Sequence, residues 1–237
     1  VSHPIVTTVS TLVNGGDVEG AERALAVIAD REGDRALARI IDEMPPRDVV
    51  AILREHDASR MSIVGELISP EQFAAAVALE RDYGDRTHEA LRGMVNAVVF
   101  ADEDRTDDFI VALGATEAGL NALCDYFSDR HEEVERFFRH GTFDPNAGDE
   151  DDEIPRANAD LQHGELDADT RRDVVPLREV QDRDWHELAW RLRCEHYEIF
   201  RDTMEMLRAR HHRAMDAPPP PPPKAAGEAD DDEDDVL

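Results

Sequence analysis

From Ile5 to Phe138, apolar residues recur at steps of three and four and almost never alternate, and each such run is soon cut by a proline, a glycine or an acidic break. That spacing is the helix period, so the chain has to fold from short amphipathic helices. Leu25, Ile28 and Ala29 share a face in "VEGAERALAVIAD", and Leu37, Ile40 and Ile41 share one in "DRALARIIDEM". Pro45-Pro46 ends one helix, because the residue before a proline avoids the α region, and preorganises the next. In "SPEQFAAAVALE", Ser69 is placed to cap, Pro70 takes the first helical position and Gln72 is placed to close a capping box, with Phe73, Ala76 and Val77 as the buried stripe. Thr87, Thr106 and Thr116 each open a further helix with a carboxylate in its first turn. Helices this short cannot bury their faces alone, so they must stack as a superhelical repeat or bundle, and the expected class is all-α.

Charge narrows the partners. The chain carries 55 acidic against 26 basic residues, a formal net charge of -29 over 237 residues, and Lys224 is its one lysine. Phosphate backbones and anionic membranes need Lys and Arg to displace counterions, so nucleic-acid binding and membrane attraction are excluded as ordinary functions. A DNA-mimicking acidic protein is the exception. The acid excess also fits a protein kept soluble at high salt, where screening relieves its self-repulsion. Two cysteines, Cys124 and Cys194, make no disulfide framework and have no metal spacing. No leader pattern and no apolar run near 18 residues is present, so the expectation is a cytoplasmic chain without membrane insertion.

The helical-repeat domain is expected over residues 1–143. An acidic linker follows over 144–183, since "NAGDEDDEIPRANADLQHGELDADTRRD" has too few large apolar residues to offset its ordering entropy. Asp144, Asn146, Asp149 and Asp151 lie close together there, but Ala147 and Gly148 break the alternate-ligand spacing of a calcium loop. Order returns in "DWHELAWRLRCEHYEIFRDTMEMLRARHHRAM", read as a long amphipathic helix over 184–215, about 30 residues and roughly 45 Å, opened by an Asp184/Glu187 capping box. Trp185, Leu188, Leu192, Ile199, Met206 and Leu207 form one face, widened by Trp190, Tyr197, Phe200 and Met204. That face either folds back to complete the core or pairs with another copy or another protein.

Residues 216–237 form a Pro-rich acidic tail, expected to be disordered. Pro218 to Pro223 favour a polyproline rod of about 19 Å, then come the acids, and Val236 and Leu237 close the chain. The tail is either a solubilising segment or a displayed peptide whose acids steer it to a basic groove while Val-Leu docks. In plan it resembles the acidic, apolar-tipped tails of bacterial single-stranded-DNA-binding proteins. It could also lie on the basic "RARHHR" of Arg208 to Arg213, whose simpler role is to meet the negative end of the helix dipole.

Known catalytic patterns are missing. "HELAW" has Trp190 where a zinc protease needs its second histidine. Cys194, Glu195, His196 and Glu198 are the one mixed ligand cluster, but neighbours on a continuous helix diverge by about 100°, so they do not converge. No phosphate-cradling loop or nucleophile elbow occurs.

"PPRDVVAILREH", "SPEQFAAAVALE" and "RTDDFIVAL" make residues 34–143 resemble the intracellular N-terminal domain of MgtE-type magnesium transporters, a superhelix also related to flagellar motor-switch proteins. The resemblance implies an α-superhelical fold and a regulatory or scaffolding surface. It transfers no metal residue and no transport activity.

The resulting expectation is a non-enzymatic scaffold or adaptor that self-associates or binds a protein partner. The candidate contact residues are Trp185, Trp190, Tyr197, Phe200, Met204, Leu207, Val236 and Leu237, with no catalytic residue, metal ligand or cofactor assigned. A divalent-cation-responsive regulatory domain is the alternative, and an α-helical enzyme the third class.

Overall fold

Proline and acidic caps set many of the helix starts in the computed structural model, which describes residues 3–55, 62–82, 88–145 and 174–216. Pro4 opens α1 (Pro4–Asn14) behind His3, whose Nδ1 accepts from the Ile5 amide. Asp17 caps α2 (Val18–Glu32) through the Gly20 amide. Gly33, at φ 85°, makes the turn into α3 (Asp34–Asp42), a left-handed conformation in which a Cβ is strained. Pro46 then starts α4 (Pro46–Arg54), followed by α5 (Ile63–Leu67), α6 (Pro70–Asp82) and α7 (Glu89–Val99). The chain continues through α8 (Thr106–Gly114), α9 (Glu117–Phe127), α10 (His131–His140), α11 (Leu177–Val180), α12 (Trp185–Cys194) and α13 (Tyr197–Asp216). Among the described residues there is no strand, and no helix is long and apolar enough to cross a membrane.

The helices form a layered stack. α1 packs on α2, α2 on α3 and α4, α4 on α6, α6 on α8 and α9, and α13 closes the series against α9. The faces expected from the sequence are the ones buried: Leu25 and Ile28, then Leu37, Ile40 and Ile41, then Phe73, Ala76 and Val77. One contiguous core runs from Val6 to Leu207.

Several caps differ from expectation. Ser69 does accept from the Gln72 amide, but the Gln72 side chain donates to the carbonyls of Ile41 and Met44 at 3.2 and 2.8 Å, satisfying the open end of α3 instead of closing its own box. Thr106 is the first residue of α8; its hydroxyl donates to Val99 O at 2.9 Å, and the cap of the preceding 3-10 turn is Asp102. Thr116 caps α9 as expected. Thr87 lies outside the described residues.

The single 30-residue helix is corrected to two. It breaks at Glu195-His196, where both amides turn back onto the carbonyls of Arg191 and Leu192, and α13, at 20 residues, is the longest helix described. The two pieces bury different faces, Leu188 and Leu192 from α12 and Phe200, Met204 and Leu207 from α13. Gly114 lets the end of α8 approach α13 closely: a Cβ there would stand 2.3 Å from Ile199 Cδ1. The described chain resumes at Val174, so residues 174–183, assigned by sequence to the linker, include α11 and a turn packed against α12.

Candidate functional site

Asp182, rather than Asp184, caps α12. Its Oδ1 accepts from the Asp184 and Glu187 amides at 3.0 and 3.3 Å, while Glu187 Oε2 accepts from the Arg183 amide at 3.0 Å. The turn holds Arg183 in the left-handed region, at φ 56°, a strained conformation for a side chain with a Cβ. Asp184 is thereby free for tertiary use. Its carboxylate accepts from Asn96 Nδ2 at 2.7 Å and from the buried Tyr126 hydroxyl at 3.3 Å, pinning α12 to α7 and α9. Burial, reinforced by Asp184, pushes the Tyr126 phenol well up.

The predicted contact residues mostly face inward. Phe200 and Met204 are fully buried and Leu207 nearly so, with the Phe200 ring against Phe138 and Phe137. Trp190 is half-buried, and its indole N–H donates to Val175 O at 2.7 Å. Trp185 lies edge-on to Phe143, stacks on His186 and receives the Arg130 guanidinium over its ring. Tyr197 stacks on Phe138. Val236 and Leu237 lie outside the described residues, as do Asn146, Asp149 and Asp151. Of the two readings left open for this face, the structure places it against its own chain.

Two arginines of "RARHHR" are spent on tertiary pairing, while Arg213 donates to Ala209 O at 3.1 Å in the last turn of its own helix, the helix-end role expected for the run. Arg208 makes a forked pair with Glu135 at 2.8 and 2.9 Å, and Arg210 bonds Asp125 at 2.5 Å together with Asn121. Arg193 is a buried cation that donates to Phe138 O at the end of α10 and sits over the Phe137 ring; burial lowers its pKa, and the helix dipole supplies the missing anion.

The helix break creates what the sequence could not show. Arg191 and Glu187 form a buried pair at 3.0 Å, with Glu103 and Glu195 at 3.6 and 3.5 Å from the same guanidinium. Glu103, Glu187 and Arg191 line a polar cavity of about 30 Å3, enough for one or two waters. At the helix break Asp107, Glu195 and His196 bring one ligand atom each to within 4.8 Å of one another, with His196 Nε2 3.0 Å from Asp107 Oδ1. Because the helix is interrupted between them, Glu195 and His196 converge where a continuous helix would splay them. Asp107 is 89 residues away in sequence, so no spacing rule could find it.

A second concavity lies at the other end of the stack. A trough of about 400 Å3 runs between α1, α2 and α3, floored by Pro4, Ala36 and Ile40, with Glu32, Glu43 and Arg39 on its rim. His3 fixes one side of it, donating its backbone N–H to Glu43 Oε2 at 3.0 Å. The large apolar side chains exposed elsewhere among the described residues, Val27, Val111 and Met215, are scattered on α2, α8 and α13. No protein-family model, curated protein or solved structure matches this chain.

Proposed function

We propose that the chain is a non-enzymatic helical scaffold that captures a basic segment of a partner protein in the α1–α2–α3 trough. The carrying observation is the trough itself: an open concavity lined by Pro4, Ala36 and Ile40, with Glu32 and Glu43 outnumbering Arg39 among its charged residues. An apolar side chain of the partner would rest on Ala36 and Ile40, while its Lys or Arg residues meet Glu32 and Glu43. The net charge of -29 steers such a partner toward the surface and repels acidic ones. The same reading carries the resemblance of residues 34–143 to the MgtE-type N-terminal domain, which makes the stack a regulatory surface.

The test is a labelled peptide of alternating Lys and Leu, titrated onto the full chain at moderate and high salt. Ala36→Arg fills the trough and should weaken binding by about tenfold or more. Val111→Arg makes the same charge change on exposed α8 and should leave affinity within about threefold. Equal losses in the two variants would reduce the interaction to bulk charge and remove the trough from the proposal.

A cation-responsive domain is supported by a separate observation, the convergence of Asp107, Glu195 and His196. Two ligands about 2 Å from one ion stand roughly 3 Å apart, which matches the His196–Asp107 separation of 3.0 Å. An imidazole beside two carboxylates suits zinc or manganese better than magnesium or calcium, which favour oxygen alone. Bound at a hundred times its Kd, such an ion stabilises by about 2.7 kcal/mol. Manganese should therefore raise Tm beyond an ionic-strength match, and His196→Gln should abolish the excess; no excess in the parent chain would dismiss this reading.

A further inference from the structure

His131, the first residue of α10, stacks on His211 of α13 with ring centroids 4.4 Å apart and planes 13° from parallel. Both ring nitrogens of His131 are sealed from solvent and have no hydrogen-bond partner. An imidazole so placed is accommodated only as a neutral ring, because a charged one needs its N–H groups solvated or paired. Two stacked neutral rings attract; two imidazolium cations at this distance repel.

The surrounding charges lean the same way. On α10, Glu132 and Glu135 favour the proton, but Glu135 is already engaged by Arg208 at 2.8 Å and Arg139 at 2.5 Å. From α13, Arg208 and His211 oppose protonation of His131, and His212 lies beside His211 with its ring 6.5 Å away. The positive end of the α10 dipole adds to the opposition. Burial first, then His211, lowers the His131 pKa below its ordinary value.

We propose that the His131–His211 stack is an acid-released latch that holds the last turn of α13 on α10 near neutral pH and lets it go when His131 protonates. The sign follows from the lowered native pKa: the latch is at full strength above 6.5, the ordinary histidine value, and weakens as pH falls below it. The segment released, residues 211–215, lies beyond the Arg208–Glu135 and Arg210–Asp125 pairs and leads in sequence directly to the prolines and acids of the C-terminal stretch. This inference is independent of the trough and of the Asp107 cluster.

The test is hydrogen exchange on the full chain at high salt, compared at about pH 7.5 and about pH 5 after correction for intrinsic rates. Residues 211–215 should exchange about tenfold faster at the lower pH, while α6 keeps its protection. His211→Phe keeps a stacking ring and removes a proton site at an exposed position, so it should abolish the acceleration. His131→Phe should do the same, and proton NMR of the parent chain should show His131 titrating below the ordinary histidine value of 6.5. Unchanged protection of 211–215 at the lower pH overturns the latch. So does acceleration that persists in His211→Phe, or that spreads equally to α6.

Discussion

Phe200→Ala asks whether α13 belongs to the core or to an external contact. The ring is fully buried, 5.2 Å from Phe138 and 6.4 Å from Phe137, so truncation loses apolar burial, leaves a cavity and removes two aromatic contacts. Phe-to-Ala changes in cores cost about 3–5 kcal/mol, and rings contribute about 0.5–1.5 kcal/mol per pair beyond their area, which places this site near 4 to 5 kcal/mol. For a domain of this size that corresponds to a fall in Tm of about 10–15 °C. Urea unfolding at fixed high salt, followed by tryptophan fluorescence, measures it directly, since Trp185 and Trp190 sit on the adjoining α12. The midpoint should fall with little change in slope. A loss under about 1 kcal/mol, with altered self-association, would refute the reasoning and return Phe200 to an interface.

Three further outcomes follow from the packing. Gly114→Ala drives a Cβ into Ile199 and should destabilise by about 1–3 kcal/mol in the same unfolding assay, with Ile199→Ala recovering part of it. Burial opposes the charged form of Glu135, yet hydrogen bonds from Arg208 and Arg139 outweigh it and hold the carboxyl below its ordinary value. Its stabilising effect is therefore present above 4.5 and lost as pH falls, so the advantage of the parent over Glu135→Gln should shrink between about pH 6 and pH 3 in denaturation curves. Cys124, fully buried, donates to Thr203 O at 3.3 Å, and burial pushes its thiol up to about 11, so thiol titration should modify half-buried Cys194 first and Cys124 only on unfolding.

The legible parts were those written in local chemistry. Thr116, Ser69, Pro46 and Pro70 mark helix starts because a cap or a fixed φ acts within a turn of its own position. The partners of Gln72, Asp184 and Arg210 were not legible, because each side chain abandons a local role for a group between 28 and 89 residues away. The candidate site shares that limit: Glu195 and His196 stood out as a mixed pair, but their convergence depends on a helix break that no proline or glycine announces.

The amino-acid pattern alone determined that the protein is all-α, where several helices start, which faces of α2, α3 and α6 are buried, and that the described helices do not cross a membrane. Those properties follow from residue period and short-range capping. Tertiary structure decided that the aromatic C-terminal run breaks into α12 and α13 and turns inward. A straight helix of about 45 Å presents one continuous stripe. Burying Leu188 and Leu192 together with Phe200 and Met204 takes two differently directed helices, and burial of those side chains outweighs the few backbone bonds given up at Glu195-His196.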